Sequence, residues 1–207
     1  MSNRRRDPGK LMGKRLGQDL TASKDTISDK IKKRFHRKHG FAERFFDNQL
    51  DIHFANEYVK RSEFDEDIKF TNHISRSTDR AKIDSVKKLF LDANAIDTDG
   101  TEVQLTDPKI EKCIGLYYQM DDEDKDNVFK AHLTLSSDNE SGVRVFGIAS
   151  LRETEDKAKL SIKIVVIDLF HLVIPSRYNG YSKEEAERVN FNQNRSNRIC
   201  ISSLIEN

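Results

Sequence analysis

An aspartate and a histidine lie within the most apolar stretch of this chain, VVIDLFHLVIPSRY, which runs from Val165 to Tyr178. In a dry pocket, a histidine beside a carboxylate is a reactive pair suited to general acid–base chemistry. Asp168 and His171 are three residues apart, and successive side chains of a regular strand point to opposite faces. The spacing therefore predicts that they form no direct pair unless the chain bends between them.

The same stretch is too long for one regular strand. A strand over residues 160–174 would span about 50 Å at roughly 3.3 Å per residue. We therefore expect a bend or bulge at Asp168, opposite Val143, with the carboxylate hydrogen-bonded to backbone. His171 would then begin a further short strand, LFHLVIP, which leads to Arg177 and Tyr178. The candidate catalytic groups of this stretch are His171, Arg177 and Tyr178.

A second candidate pair lies on the predicted sheet. His132 and Arg144 fall on the polar face of two neighbouring strands. If that face is exposed, the histidine can act on a phosphodiester as general base or acid, while the arginine stabilises developing negative charge. Ordinary polarity of a sheet surface explains the same pattern and is the competing interpretation.

Three segments with strict alternation of apolar and polar side chains predict the strands of that sheet. They are VFKAHLTLS, GVRVFGIASLR and AKLSIKIVVID, joined by the polar loops SSDNESG and RETEDKAK. Period-two alternation is typical of half-buried strands, so the chain is predicted to form an antiparallel meander. A register with Leu135 opposite Val143, and Leu151 near Leu160, brings the apolar residues of all three strands onto one face.

Two helices are expected to cover this apolar face. The first is capped by Ser77 or Thr78, and the second begins with Asp107 as N-cap and Pro108 at the first helical position. The residues predicted to be buried on the two helices are Ile83, Val86, Leu89 and Phe90, then Ile110, Cys113, Ile114 and Tyr117.

The predicted architecture is α+β: a helical pair packed on an antiparallel β-meander, with an N-terminal basic helical extension. Residues 1–22 are expected to be a flexible basic arm and residues 23–66 a basic helical segment. The α+β core domain would span residues 67–175 and begin with a short strand in IKFTNHI. Residues 176–207 would form a C-terminal tail with a short helix near Lys183 to Val189.

The net charge of +1 conceals a strong gradient along the chain. Residues 1–47 carry 14 Lys and Arg against 6 Asp and Glu, whereas the remaining residues carry 22 against 29. The candidate nucleic-acid-binding residues are Lys30, Lys32, Lys33, Arg34, Arg37 and Lys38. Such a cluster attracts phosphate backbones through counterion release, without reading sequence. A solvated helix face or an acidic protein surface remains an open alternative.

Other classes of site lack their sequence signals. There is no phosphate-binding glycine loop, nucleophile elbow or zinc spacing, so no cofactor or metal is expected. DTDG near Asp97 is interpreted as a turn, and the run Asp121 to Asp126 as a solvent-facing face. Cys113 and Cys200 are interpreted as reduced thiols of a cytoplasmic protein. No run approaches about 18 apolar residues and no signal peptide is evident, so we expect no membrane-spanning helix and no membrane partner; contact of the thinly apolar basic helix with an anionic membrane is a less favoured alternative.

The element order resembles the RelE/ParE superfamily of small bacterial toxins. The order is a short strand (IKFTNHI), two helices and the meander, and the resemblance covers roughly Asp67 to Pro175. It implies a helical hairpin packed on the sheet. RelE-type members cleave messenger RNA on the ribosome with residues displayed on the sheet and tail, whereas ParE-type members act on gyrase. The residues in matching places are Arg144, Arg152, His171, and Arg177 or Tyr178.

Three functions follow from these observations. The favoured one is a nucleic-acid-associated cytosolic protein of microbial, plasmid or phage type, which contacts RNA or DNA backbone through its basic N-terminal helix. The first alternative is a RelE-like endoribonuclease toxin acting on mRNA. The second is a non-enzymatic inhibitor or adaptor that binds an acidic protein surface. The sequence leaves open whether the protein is an enzyme.

Overall fold

The computed structural model describes residues 33, 51–93, 101–102, 105, 107–134, 140–153, 158–177, 180–197 and 199–204. Its strands are β1 Asp51–Phe54, β2 Phe64–Asp65, β3 Phe70–Thr71, β4 Thr101–Glu102, β5 Val128–Thr134, β6 Glu140–Glu153 and β7 Ala158–Asp168. Its α-helices are α1 Arg80–Leu91, α2 Pro108–Gly115, α3 Asp122–Asp126 and α4 Lys183–Asn194. Two short 3₁₀ helices span Glu57–Lys60 and Ile201–Leu204. The fold is therefore α+β, as predicted.

The main sheet has the order β1-β7-β6-β5-β4 within the described ranges, and β2 and β3 form a separate small hairpin. Strands β5, β6 and β7 form the predicted antiparallel meander. Leu151 pairs with Leu160, as the alternation predicts, whereas Leu135 lies outside the described residues. The meander is thus the scaffold of the molecule, with one further strand at each edge.

Strand β1 corrects part of the prediction of a basic helical segment over residues 23–66. Residues 51–54 pair in parallel with residues 161–164 of β7 and so cover one edge of the meander. A strand this short carries too few residues for its period to be distinguished from that of a helix. The unpaired edge of β7, which lies far away in the chain, determines its conformation.

A β-bulge at Val165 shifts the register between β6 and β7. Gly147 pairs with Ile164, but Phe146 pairs with Val166, so Val165 of β7 has no partner in the register with β6. Beyond the bulge, Asp168 lies opposite Arg144 rather than opposite Val143 as predicted. The sequence does not indicate the bulge, because VVI is apolar in either register.

Both faces of the sheet are buried, which corrects the expectation of half-buried strands. Arg144, Phe146 and Ile148 alternate along β6 with Val143 and Val145, and the structure buries all five. Helix α1 packs on β5 and β6, and helix α2 contacts β7, which confirms the helical pair on the sheet. The chain therefore has no open, polar sheet face at Arg144.

The packing side of each helix agrees closely with the prediction. Fully or nearly fully buried are Val86, Leu89, Ile110, Cys113, Ile114 and Tyr117, whereas Ile83 and Phe90 are half-buried. Asp107 caps α2 with Pro108 behind it, as expected. Asp79, rather than Ser77 or Thr78, caps α1 by accepting a hydrogen bond from the Ala81 N–H.

The C-terminal residues belong to the same core. Helix α4 is longer than predicted and begins with a capping box between Ser182 and Glu185. Phe191 of α4 and Ile201 are buried in the hydrophobic cluster that also contains Phe70. Within the part of the chain that the structure describes, no helix combines the length and apolarity that a membrane span requires.

Candidate functional site

The chain turns sharply after β7, around the buried carboxylate of Asp168. This carboxylate accepts hydrogen bonds from the backbone N–H groups of Leu172 at 2.8 Å and Val173 at 3.0 Å. The expected bend with a backbone-bonded aspartate is therefore confirmed. The strand expected from His171 onward is wrong, because residues 169–177 form a non-repetitive loop whose amides bind Asp168 instead of a neighbouring strand.

Arg144 fixes this loop from the sheet side. Its Nη1 donates to the Ile174 carbonyl at 2.5 Å, and its Nη2 lies 3.4 Å from the Ser176 hydroxyl. Only 8% of Arg144 is exposed, which corrects the prediction of an arginine on an open surface. His132 lies directly opposite Arg144 on β5, so the predicted neighbours are adjacent, although the face they share is covered.

His171 stands at the bend in the left-handed backbone conformation, with φ of 58°. Its Nε2 bonds to the Gly142 carbonyl, and its Nδ1 lies 3.3 Å from the Ser176 hydroxyl. Since a carbonyl only accepts, Nε2 carries the proton and Nδ1 of the neutral ring is an acceptor. Burial lowers the pKa of His171, and the positive charge of Arg144 lowers it further, so the ring is neutral near pH 7.

An open cleft of about 650 Å³ lies beside this loop, between the start of α1 and α4. Lys82 of α1 forms part of its wall, and its Nζ donates to the Leu169 carbonyl at 2.7 Å and lies 5.3 Å from the centre of the Phe170 ring. Burial lowers the pKa of Lys82, an effect that nearby Asp168 partly opposes. The volume is in the range of small-ligand sites.

Helix α4 lines the opposite wall with amides. Asn190, Gln193 and Asn194 all border the cleft. The Asn190 amide donates to the Phe170 carbonyl at 3.0 Å, and the Asn194 amide donates to the Asn190 carbonyl at 2.8 Å. One face of α4 thus joins the loop to the C-terminal part of the core.

The structure brings two of the residues predicted for catalysis, His171 and Arg144, to the same Ser176 hydroxyl, and places the others elsewhere. His171 borders the cleft, Arg144 lies beneath the loop, and Arg177 is exposed at the end of the loop. Tyr178 lies outside the described residues. Arg152 is in β6 opposite Lys159, near the other end of the strand.

The nucleic-acid-binding candidates fall almost entirely beyond what the structure describes. Lys33 is helical and exposed. The candidates outside the described residues are Lys30, Lys32, Arg34, Arg37 and Lys38.

Sequence reasoning missed three residues of the cleft. The sequence places Lys82 only in the first predicted helix, and Ser176 and Asn190 only in the C-terminal tail. The dense amides of NFNQN were the one available signal. No local pattern joins Lys82, Gly142 and Ser176, because only the tertiary fold brings them together.

The acidic run Asp121–Asp126 is not wholly solvent-facing, which corrects that prediction. Asp124 is buried, accepts a 2.8 Å hydrogen bond from the Tyr118 hydroxyl and lies 3.6 Å from Lys163 Nζ. Among the described residues, no cluster of three or more His, Cys, Asp or Glu side chains can hold a metal ion. Asp97 and its DTDG turn lie outside them.

The two cysteines are both free. Cys113 is buried in α2, and burial raises the pKa of its thiol, which makes it unreactive. Cys200 is half-buried, and its thiol lies 2.8 Å from the Ser202 hydroxyl.

Comparison of the chain with protein-family models, with curated proteins and with solved structures finds no match. The function must therefore be inferred from the residues and their geometry.

Proposed function

We propose that this is a nucleic-acid-associated cytosolic protein whose basic N-terminal segment contacts the phosphate backbone of RNA or DNA. The observation that carries the proposal is the charge gradient: 14 Lys and Arg against 6 Asp and Glu in residues 1–47. Six of these cations fall within the nine residues 30–38. Clustered cations of this kind bind phosphates by releasing condensed counterions.

Several cations of the folded domain already have partners within it, which supports this assignment. Lys109 pairs with Glu187, Lys163 with Asp124, and Arg195 with Glu66. Lys82 and Arg144 instead bind backbone carbonyls of the loop after β7. The domain is also acidic in sum, with 22 Lys and Arg against 29 Asp and Glu after residue 47. The N-terminal segment is therefore the favoured phosphate-binding element.

The proposal is tested by measuring affinity against salt concentration. Fluorescence anisotropy with random-sequence RNA and duplex DNA should show affinity falling about 10³-fold or more between roughly 50 and 200 mM salt, as six or more phosphate contacts require. Affinity that is absent, or independent of salt, would contradict the proposal. A pull-down that recovers a protein partner without nucleic acid would favour the adaptor alternative instead.

The RelE-like endoribonuclease is the second candidate, and the position of His171 favours it. This imidazole borders the cleft, and its lowered pKa leaves it neutral and able to accept a proton. Expression should then arrest growth, and a folded His171→Ala variant should relieve the arrest while His132→Ala does not. If His171→Ala arrests growth as strongly as the wild type, this candidate is rejected.

A further inference from the structure

The hydroxyl of Ser176 faces a histidine in the geometry of an activated nucleophile. Ser176 Oγ lies 3.3 Å from His171 Nδ1, and both residues border the cleft of about 650 Å³. Because Nε2 holds its proton toward the Gly142 carbonyl, Nδ1 has a free lone pair for the hydroxyl proton. A serine, a neutral imidazole and an acceptor that orients the imidazole are the parts that nucleophilic catalysis needs.

The surrounding structure holds this pair firmly. His171 occupies a left-handed backbone conformation with φ of 58°, which residues other than glycine rarely adopt. Asp168 binds the loop between the two residues through the N–H groups of Leu172 and Val173. Backbone strain of this kind persists only where the surroundings enforce it, and it is concentrated at functional sites.

Cations near the hydroxyl indicate the class of substrate. Arg144 Nη2 lies 3.4 Å from Ser176 Oγ, and Lys82 borders the same cleft. The acidic residues on the cleft wall are engaged elsewhere, since Asp79 caps α1 and Glu187 pairs with Lys109. The ammonium group of Lys82 in the cleft suits the non-bridging oxygens of a phosphoryl group and the charge that develops there.

We propose that Ser176 is a nucleophile, activated by His171, that attacks the phosphorus of a phosphate ester held in this cleft. The Oγ–P bond forms while the bond from phosphorus to the leaving oxygen breaks. The hydroxyl proton passes to His171 Nδ1 and then to the leaving oxygen, so the product alcohol departs neutral. Lys82, which borders the cleft, stabilises the charge on the phosphoryl oxygens, while Arg144 holds the Ser176 hydroxyl from beneath the loop.

The second half of the reaction restores the enzyme with water. Water attacks the phosphorus of the phosphoserine, its proton passes to His171 Nδ1, and that proton returns to the departing Ser176 oxygen. No oxidant, reductant or further co-reactant is needed. This chemistry does not depend on the basic N-terminal segment, so it can fail or succeed independently of nucleic-acid binding.

A fluorophosphonate probe tests the nucleophile, because an activated serine displaces its fluoride and stays phosphonylated. Intact-mass and peptide analysis should show one adduct per chain, on Ser176. Ser176→Ala should abolish labelling, and His171→Gln should slow it by about 10²-fold or more. Ser77→Ala is the matched control and should label at the wild-type rate, since Ser77 borders the same cleft but, among the described residues, its hydroxyl bonds only to that of Ser75.

Circular dichroism must show that each variant is folded, and Ser176→Cys provides a second substitution that keeps a nucleophile in place. A wild-type chain without an adduct, or a folded Ser176→Ala variant that labels like the wild type, would overturn the proposal. The substrate class is tested with p-nitrophenyl phosphate and p-nitrophenyl acetate. A burst of nitrophenolate from the phosphate supports a phosphate ester, and a burst from the acetate alone overturns that part.

Discussion

Arg144 and Asp168 lie directly opposite each other on β6 and β7, and both side chains bind the loop that follows β7. Asp168 accepts from the N–H groups of Leu172 and Val173, whereas Arg144 donates to the Ile174 carbonyl. A buried cation and a buried anion thus satisfy successive backbone groups of one segment. The pair holds the wall of the cleft in place.

Asp168→Asn should destabilise the fold. The amide has one acceptor oxygen instead of two and no charge, so at least one buried N–H loses its partner, at a cost of about 1–3 kcal/mol. Urea unfolding should show a lower midpoint. Asp84→Asn is the control, because this exposed carboxylate pairs with exposed Arg80 one turn away and should change stability by less than about 1 kcal/mol. Equal losses in the two variants would contradict the role of Asp168.

Gly147→Ala should also destabilise the fold, because the space for its side chain is taken. A Cβ at this position would lie 2.5 Å from Cζ of Phe129 on the neighbouring strand. Overpacking of this kind costs about 1–3 kcal/mol, measurable as a lower thermal midpoint. Phe129→Leu should recover part of the loss in the double variant, and no recovery would argue against the clash.

Gly115→Ala provides a matched control for that substitution. Nothing lies within 4 Å of a Cβ at Gly115, which ends α2. Alanine favours a helix over glycine by up to about 1 kcal/mol, so this variant should be as stable as the wild type or slightly more stable.

His171 should make the fold sensitive to mild acid. Burial, with Arg144 and Lys82 nearby, lowers its pKa below the ordinary 6.5, and the opposing effect of Asp168 does not cancel this. As the pH falls below 6.5, the imidazole of the unfolded chain binds a proton before that of the folded chain does. The free energy of unfolding therefore decreases as the pH falls from 6.5 through the lower pKa of the folded state. The free energy of unfolding should decline from pH 7 to pH 5 less steeply in His171→Gln than in the wild type. Parallel curves would contradict the lowered pKa.

Local patterns predicted the parts of the fold that depend on neighbouring residues. Alternation placed Leu151 opposite Leu160, and the Asp107–Pro108 signal placed the start of α2. The features that escaped prediction depend on distant partners. Arg144 is buried beneath the loop that carries its acceptors, Ile174 and Ser176. These residues lie 30 and 32 positions further along the chain, so no local pattern indicates the burial.

The candidate site was predicted less completely than the fold. The bend at Asp168 follows from strand length alone, so the sequence could indicate it. The contact between His171 and Ser176 depends on the conformation of the loop, and the bulge at Val165 depends on pairing with β6. A sequence pattern indicates neither the loop conformation nor the pairing. Lys82 reaches the loop only because α1 packs on the meander.

The most direct test of nucleic-acid association compares two charge-neutralised variants of the full chain. The first carries glutamine at Lys30, Lys32, Lys33, Arg34, Arg37 and Lys38. The control carries glutamine at exposed cations of the folded domain: Arg76, Arg80, Lys88, Lys112, Lys183 and Arg188. Both variants lose the same charge, so only its location in the chain differs.

The measurement is the slope of log affinity against log salt concentration for duplex DNA. The first variant should bind weakly, with a slope shallower by about 0.9 for each phosphate contact it has lost, whereas the control should keep most of the wild-type slope. Equal slopes for the two variants, or a larger loss in the control, would contradict the assignment of phosphate binding to the N-terminal segment.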